Sequence, residues 1–382
     1  MSRMLRLAVV VGVMSGLATM ALGQASKPAD IDWNYARTLL DKSNHNEKLT
    51  ADEQAYLDYA KRARAEMIRE GKRPPEPGAA SRPAATQGAT STGLIPLDQM
   101  TAEQKYKGED GGLYGGGKND PPEALAKAAE AALAKVQPLD AAGKPDAKGK
   151  VVLMSMGMSN TTQEFSVFKT LADKDAAKSA SLVIVDAAQG GKDAICWSEK
   201  GNSKPVWDEA LRRLKAAGVT PEQVQVLWVK HARIQPEKYG EFPEHAKELQ
   251  GHIASSLDIA RKTFPNLQVI HLSSRIYAGY ASTRLNPEPY AYEGAFAVRW
   301  VIQDQLKAAD GIKGPVVLWG PYLWADGLTP RKSDGLIWER KDLGPDGTHP
   351  SPESGREKVA KLLLNFVKTN PMAKGWLCDE KP

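Results

Sequence analysis

At 382 residues and 42% hydrophobic content, the chain has enough apolar material for one large packed domain and an appendage. Its formal net charge of +5 comes from 51 basic residues scattered among 46 acidic ones, with no basic stripe. That pattern argues against nucleic acid as a partner.

The chain opens with Arg3 and Arg6 ahead of an apolar run from Leu7 to Leu22, closed by Ala21-Leu22-Gly23. Residues 1–23 therefore read as a secretory signal peptide, and the sequence predicts an exported protein, periplasmic or extracellular, that starts near Gln24. The run is short for a membrane anchor and is broken by Gly and Ser, and no later segment is apolar over a bilayer's length. In an oxidising compartment Cys196 and Cys378, the only two cysteines, are free to pair. Two buried or free thiols are the alternative.

Residues 24–70 predict a small helical hairpin, with one amphipathic pattern from Trp33 to Leu40 and a second from Thr50 to about Arg69. The second is opened by the capping box Thr50-Ala51-Asp52-Glu53. Between them, Asp41 to Glu47 loosely resembles a calcium loop, but Asn46 stands where glycine is needed and Asp52 where a bidentate glutamate belongs. A polar turn is the better reading, and the hairpin is a candidate docking element for a protein partner. Residues 71–93, rich in Pro, Ala, Ser and Thr, have nothing to bury and predict a flexible linker ahead of a main domain over 94–382. The run Gly111 to Lys118 is followed by Asn119-Asp120-Pro121-Pro122 instead of the Ser/Thr and helix of a phosphate loop. It predicts an irregular surface segment near the mouth of a site.

From Lys150 onward, apolar runs of strand length alternate with amphipathic runs of helix length. The strands fall at Val151 to Met156, Leu182 to Asp186, Val224 to Val229, Val269 to Leu272 and Val316 to Trp319. Helices are predicted at about Thr162 to Asp173, Val206 to Ala217, Pro243 to Thr263, Tyr290 to Ala309 and Glu353 to Thr369. This alternation predicts the α/β class, a three-layer α/β/α sandwich around a parallel five-stranded sheet. In such sheets the ligand lies beyond the carboxyl ends of the strands.

Two stretches on that edge carry chemistry. Gly344-Pro345-Asp346-Gly347-Thr348-His349-Pro350 puts a carboxylate three residues before an imidazole, in a turn that runs into the last helix. Ser351 and Pro352 predict the N-cap and first turn of that helix. Ser159 follows the first strand at Gly157-Met158-Ser159, beside amides that can receive a developing oxyanion, and Thr161 to Glu164 predicts a capping box there. Alone, Ser159 is no more than a turn that starts a helix; with Asp346 and His349 on the same rim, a nucleophile, a base and an orienter share one place.

This combination resembles the SGNH hydrolases, the GDSL-like lipase and acylhydrolase family, over about residues 148 to 370. The resemblance implies a flavodoxin-like sheet and an ester hydrolase with Ser159 as nucleophile, His349 as base and Asp346 as its orienter. It further implies oxyanion donors at the Ser159 amide and at Gly190 or Gly191. Two departures stand out: Met158 replaces the family's Asp, and the strand ending at Val229 runs into Lys230-His231-Ala232-Arg233 with no Gly-x-Asn-Asp. Lys230 or His231 is then the candidate third donor, or the site uses only the backbone amides of Ser159 and a glycine. No metal or organic cofactor is implied.

The remaining candidates rest on placement. His245 and His252 lie seven residues apart on one helix, without a third ligand, and read as solvated surface rather than a metal site. His271 lies near the end of the fourth strand, within reach of the rim, and reads as a structural histidine rather than a catalytic one. Tyr322, Trp324, Trp338 and Arg275 are expected to line the cleft, where flat rings could stack on a sugar. The expected function is an exported serine ester hydrolase that removes acyl groups, acetyl above all, from carbohydrate. The alternative is an inactive module of the same fold that binds carbohydrate or a cell-surface glycan.

Overall fold

The computed structural model describes residues 31, 33–44, 47–70, 90–307, 311–312 and 314–376. The predicted signal peptide, nearly all of the linker and Cys378 lie outside them. Among the described residues no helix is long and apolar enough to cross a membrane.

Five strands form one sheet: β1 (Val151–Gly157), β2 (Leu182–Asp186), β3 (Val224–Lys230), β4 (Val269–Leu272) and β5 (Val316–Trp319). Every pairing is parallel and the order is β2-β1-β3-β4-β5. All residues of β1 and β3 are buried, as the central strands of a sheet covered on both faces must be. The helices are α1 (Trp33–Asn44), α2 (Ala51–Arg69), α3 (Glu123–Leu133), α4 (Ser159–Ala172), α5 (Ala194–Trp197), α6 (Lys204–Ala216), α7 (Glu244–Thr263), α8 (Tyr290–Asp304) and α9 (Gly355–Thr369). Helices α4 and α9 pack together on one face of the sheet, while α7 packs on α5 and α8. The expected three-layer α/β/α sandwich is therefore present. The strand order reverses between β1 and β3, which opens a crevice at their carboxyl ends.

Several local expectations shift. The Thr50 capping box forms as read, with Thr50 Oγ1 accepting from the Glu53 amide and Glu53 accepting from the Thr50 amide. At the last helix the N-cap is Ser354, not Ser351; the Ser351 hydroxyl instead accepts from the Ser354 and Gly355 amides and closes the turn before it. Helix α3 has no counterpart among the predicted elements: its alanine-rich sequence carries only a narrow apolar stripe, Leu125, Ala129 and Ala132, laid near β4 and β5. The glycine-rich run packs at the β5 side, where Leu113 O accepts from Trp319 Nε1, rather than at the mouth of the crevice. The main domain begins earlier than residue 94, because Asp326 accepts hydrogen bonds from Ser91, Thr92 and Gly93.

Candidate active site

Gly157 ends β1 at φ +152°, and a Cβ there would meet Lys230 O at 2.3 Å and Thr161 Oγ1 at 2.4 Å. Only glycine lets the chain pass so close to β3 and turn at once into α4. The turn is fixed by Thr161, whose hydroxyl accepts from the Met158 amide at 3.3 Å and donates to Lys230 O at 2.8 Å. Ser159 is thus the first residue of α4, and the first amides of a helix have no partner within it. The Gly190 backbone lies alongside, since a Cβ there would sit 3.9 Å from Ser159 Cβ. The Ser159 amide and the Gly190 backbone therefore lie beside the Ser159 side chain.

The Ser159 hydroxyl lies 2.7 Å from His349 Nε2, and His349 Nδ1 lies 2.5 Å from Asp346 Oδ2. The other Asp346 oxygen accepts from the Thr348 and His349 amides, each at 3.0 Å. Burial pushes the Asp346 carboxyl up, but the hydrogen bond and charge of His349 and those two amides outweigh it and bring it down to about 2. The carboxylate is ionised wherever the protein is folded and working. Gly347, at φ +64°, passes so close to Tyr280 O that a Cβ would sit 1.8 Å from it, so the loop also needs its glycine. The loop is tied to α4 through the Thr348 carbonyl, which accepts from Asn160 Nδ2 at 3.0 Å and from Arg275 Nη2 at 3.1 Å.

A cavity of about 630 Å³ holds Ser159, Asp346 and His349 with Gly190, Gly191, Arg233, Arg275 and Asn286. Arg275 borders this space while bonded to the Thr348 carbonyl, and both glycines border it too. The other expectations need correction. Lys230 does not line the cavity; it is fully buried behind it, paired with Glu164 at 2.6 Å to Oε1 and closer to Oε2. Glu164 serves that ion pair, not a capping box. His231 is also buried and points away, its ring 6.0 Å from that of Trp197. Neither supplies an oxyanion donor. Tyr322, Trp324 and Trp338 are core residues that do not reach the cavity: Trp324 Nε1 donates to Glu288, Trp338 Nε1 to Leu323 O, and the Tyr322 hydroxyl accepts from the Leu97 amide.

His271 is buried against Phe366 of α9, away from the rim. His245 and His252 are buried, not solvated, and His245 Nε2 lies 2.6 Å from Glu293 Oε2. Cys196 is a buried thiol, pushed up by burial, whose proposed partner Cys378 falls outside the described residues.

Burial pulls His231 down to about 3, with the nearby His252 adding to the effect. A depressed imidazole contributes stability above its unfolded value near 6.5, and that stability is lost as the pH falls toward 3. Wild-type protein is therefore expected to lose about 2 kcal/mol more than His231→Leu between pH 7 and pH 5, read from urea midpoints. Identical pH dependence in the two proteins contradicts this.

Sequence reasoning missed Asn160, Arg233 and Asn286. Asn160 carries a signal in hindsight, as the residue after the nucleophile on a buried helix start. Arg233 and Asn286 carry none: they reach the cavity through Arg233 Nη1 on Asp193 and Asn286 Nδ2 on Arg233 O, contacts that cross between distant loops. The largest omission is the hairpin, for Leu40, Leu57 and Ala60 line the same cavity as Ser159.

A parallel β2-β1-β3-β4-β5 sheet, with a serine after β1 and an Asp-x-x-His loop before the last helix, is the arrangement that the resemblance to the SGNH hydrolases implied. Among solved structures, a lipase from a goat rumen metagenome matches at 16% identity over 56% of this chain and 96% of its own, with a TM-score of 0.33. A Bacteroides fragilis protein, provisionally described as an acylhydrolase, matches at 13% identity over 66% of this chain and 100% of its own, TM-score 0.35. A salicylyl-acyltransferase from a tetracycline biosynthetic pathway matches at 16% identity over 60% of this chain and 58% of its own, TM-score 0.34. At these scores the likenesses carry no argument about chemistry. No protein-family model matches the chain, and no curated protein does.

Proposed function

We propose that the protein is a serine ester hydrolase. The observation that carries this reading is the continuous line from the Ser159 hydroxyl through both nitrogens of His349 to Asp346. Ser159 Oγ attacks the ester carbonyl while His349 Nε2 takes its proton. The carbonyl oxygen becomes an oxyanion facing the amides of Ser159 and Gly190. Collapse breaks the bond to the alcohol, which leaves with the proton held by His349. Water then repeats the sequence on the acyl-enzyme and releases the acid. Asp346 holds Nδ1 protonated, so that Nε2 is the lone pair presented to the serine.

A site with only these two amides turns over on the order of 100- to 1000-fold more slowly than one with three donors. Deacylation of carbohydrate is a narrower reading supported by the leader sequence alone, now that the aromatic rings face the core. Export rests on the same leader.

Purified protein is expected to hydrolyse aryl esters, and Asp346→Asn to lower kcat roughly 10⁴-fold by favouring the wrong imidazole tautomer. Folded wild-type protein with no turnover of any aryl ester sinks the proposal, as does an Asp346→Asn variant of undiminished rate.

A further inference from the structure

The hairpin is not a free-standing appendage. Leu39 and Leu57 are buried to within 1% of complete, more than two helices can achieve for each other without a third surface. Asn44, the last residue of α1, donates from Nδ2 to Gly191 O at 3.0 Å and accepts from Lys192 Nζ at 2.8 Å. The hairpin is thereby bonded to the loop that presents Gly190 to Ser159. Its inward face is mixed: part-exposed Trp33 and Leu40 and buried Leu57 line the cavity that holds Ser159 and His349, alongside exposed Lys61 and Arg64. Water-filled apolar walls gain by receiving an apolar ligand, about 0.8 kcal/mol for each methylene removed from water.

We propose that this hairpin face is the substrate's alkyl-binding wall, so that the site takes esters carrying a straight alkyl chain of several carbons on the acyl side. The inference rests on the serine hydrolase reading above and names its substrate class. Part-exposed Trp33 and Leu40 supply the apolar contact, with Ala36 and Ala60 packed inside the hairpin behind them. The hairpin then acts in cis on the reaction.

The test compares aryl acetate with aryl octanoate on full-length wild type, Leu40→Trp and Leu40→Ala, each with a fluorophosphonate label mapped to confirm an intact nucleophile. Wild type is expected to prefer octanoate by at least about tenfold in kcat/KM. Leu40→Trp fills the slot and lowers the preference for octanoate over acetate at least about tenfold. Leu40→Ala, which cannot clash, lowers the preference for octanoate by about fivefold through lost contact. An equal rate on both esters in wild type, or a preference that neither variant alters, overturns the inference and leaves the hydrolase intact. No turnover of either ester with no label on Ser159 overturns the hydrolase reading and this inference with it.

Discussion

Replacing Ser159 with alanine is expected to lower kcat for aryl esters roughly 10⁴- to 10⁶-fold while the protein stays folded. The magnitude follows from the arrangement of the three groups. His349 is oriented through Nδ1 by Asp346, so removing the serine leaves a base with nothing to activate except water. What survives is the binding of the ester and the two amides of the oxyanion site, which act on a water attack with far less advantage. Folding is little affected because the Ser159 side chain bonds only to His349 and the helix start is held by Thr161. The check is single-turnover and steady-state hydrolysis of one aryl ester by both proteins, with circular dichroism to compare their folds. A variant within tenfold of wild type would remove Ser159 from the mechanism.

The second large effect concerns stability. Lys230 and Glu164 form an ion pair with both side chains fully buried, directly beneath the turn that presents Ser159. Burial pulls the Lys230 ammonium down to about 8, with the Glu164 carboxylate opposing that shift. Lys230→Met strands a carboxylate in the interior and is expected to destabilise the protein by about 3–5 kcal/mol. The double variant Glu164→Leu/Lys230→Met removes both charges and is expected to recover most of that loss, since a buried pair costs about as much to desolvate as it returns. Urea unfolding of the wild type, both single variants and the double variant gives the cycle. If the double variant is as unstable as the sum of its parents, the pair is not coupled and this account of the floor is wrong.

Why some of the site was legible and some was not follows from how far each signal reaches along the chain. The five strands were readable because buried parallel strands are short continuous apolar runs, and Leu182–Asp186, Val269–Leu272 and Val316–Trp319 fall where the pattern ended. Asp346 and His349 were readable because their geometry is local: three residues, one glycine at positive φ, and a turn that folds back on its own amides. Ser159 needed only the break at Gly157.

The failures at the site are contacts between distant segments. Nothing near Lys230 shows that its ammonium turns back toward Glu164 instead of out to the crevice. Aromatic residues after β5 look the same in sequence whether they border a cleft or fill a core, and Trp324 and Trp338 fill the core. The hairpin's amphipathic pattern declares an apolar face but not the surface that covers it. Here part of that face meets the active-site cavity, and the contact that shows it, Asn44 on Gly191, spans 147 residues.

The central claim is that Ser159 is an activated nucleophile, and a fluorophosphonate tests it most directly, because the serine oxygen displaces fluoride from phosphorus only when a base takes its proton. Peptide mapping by mass spectrometry is predicted to find one phosphonylated residue, Ser159, and to find none in His349→Ala. Folded wild-type protein that stays unlabelled, or that carries the label on another residue, contradicts the account.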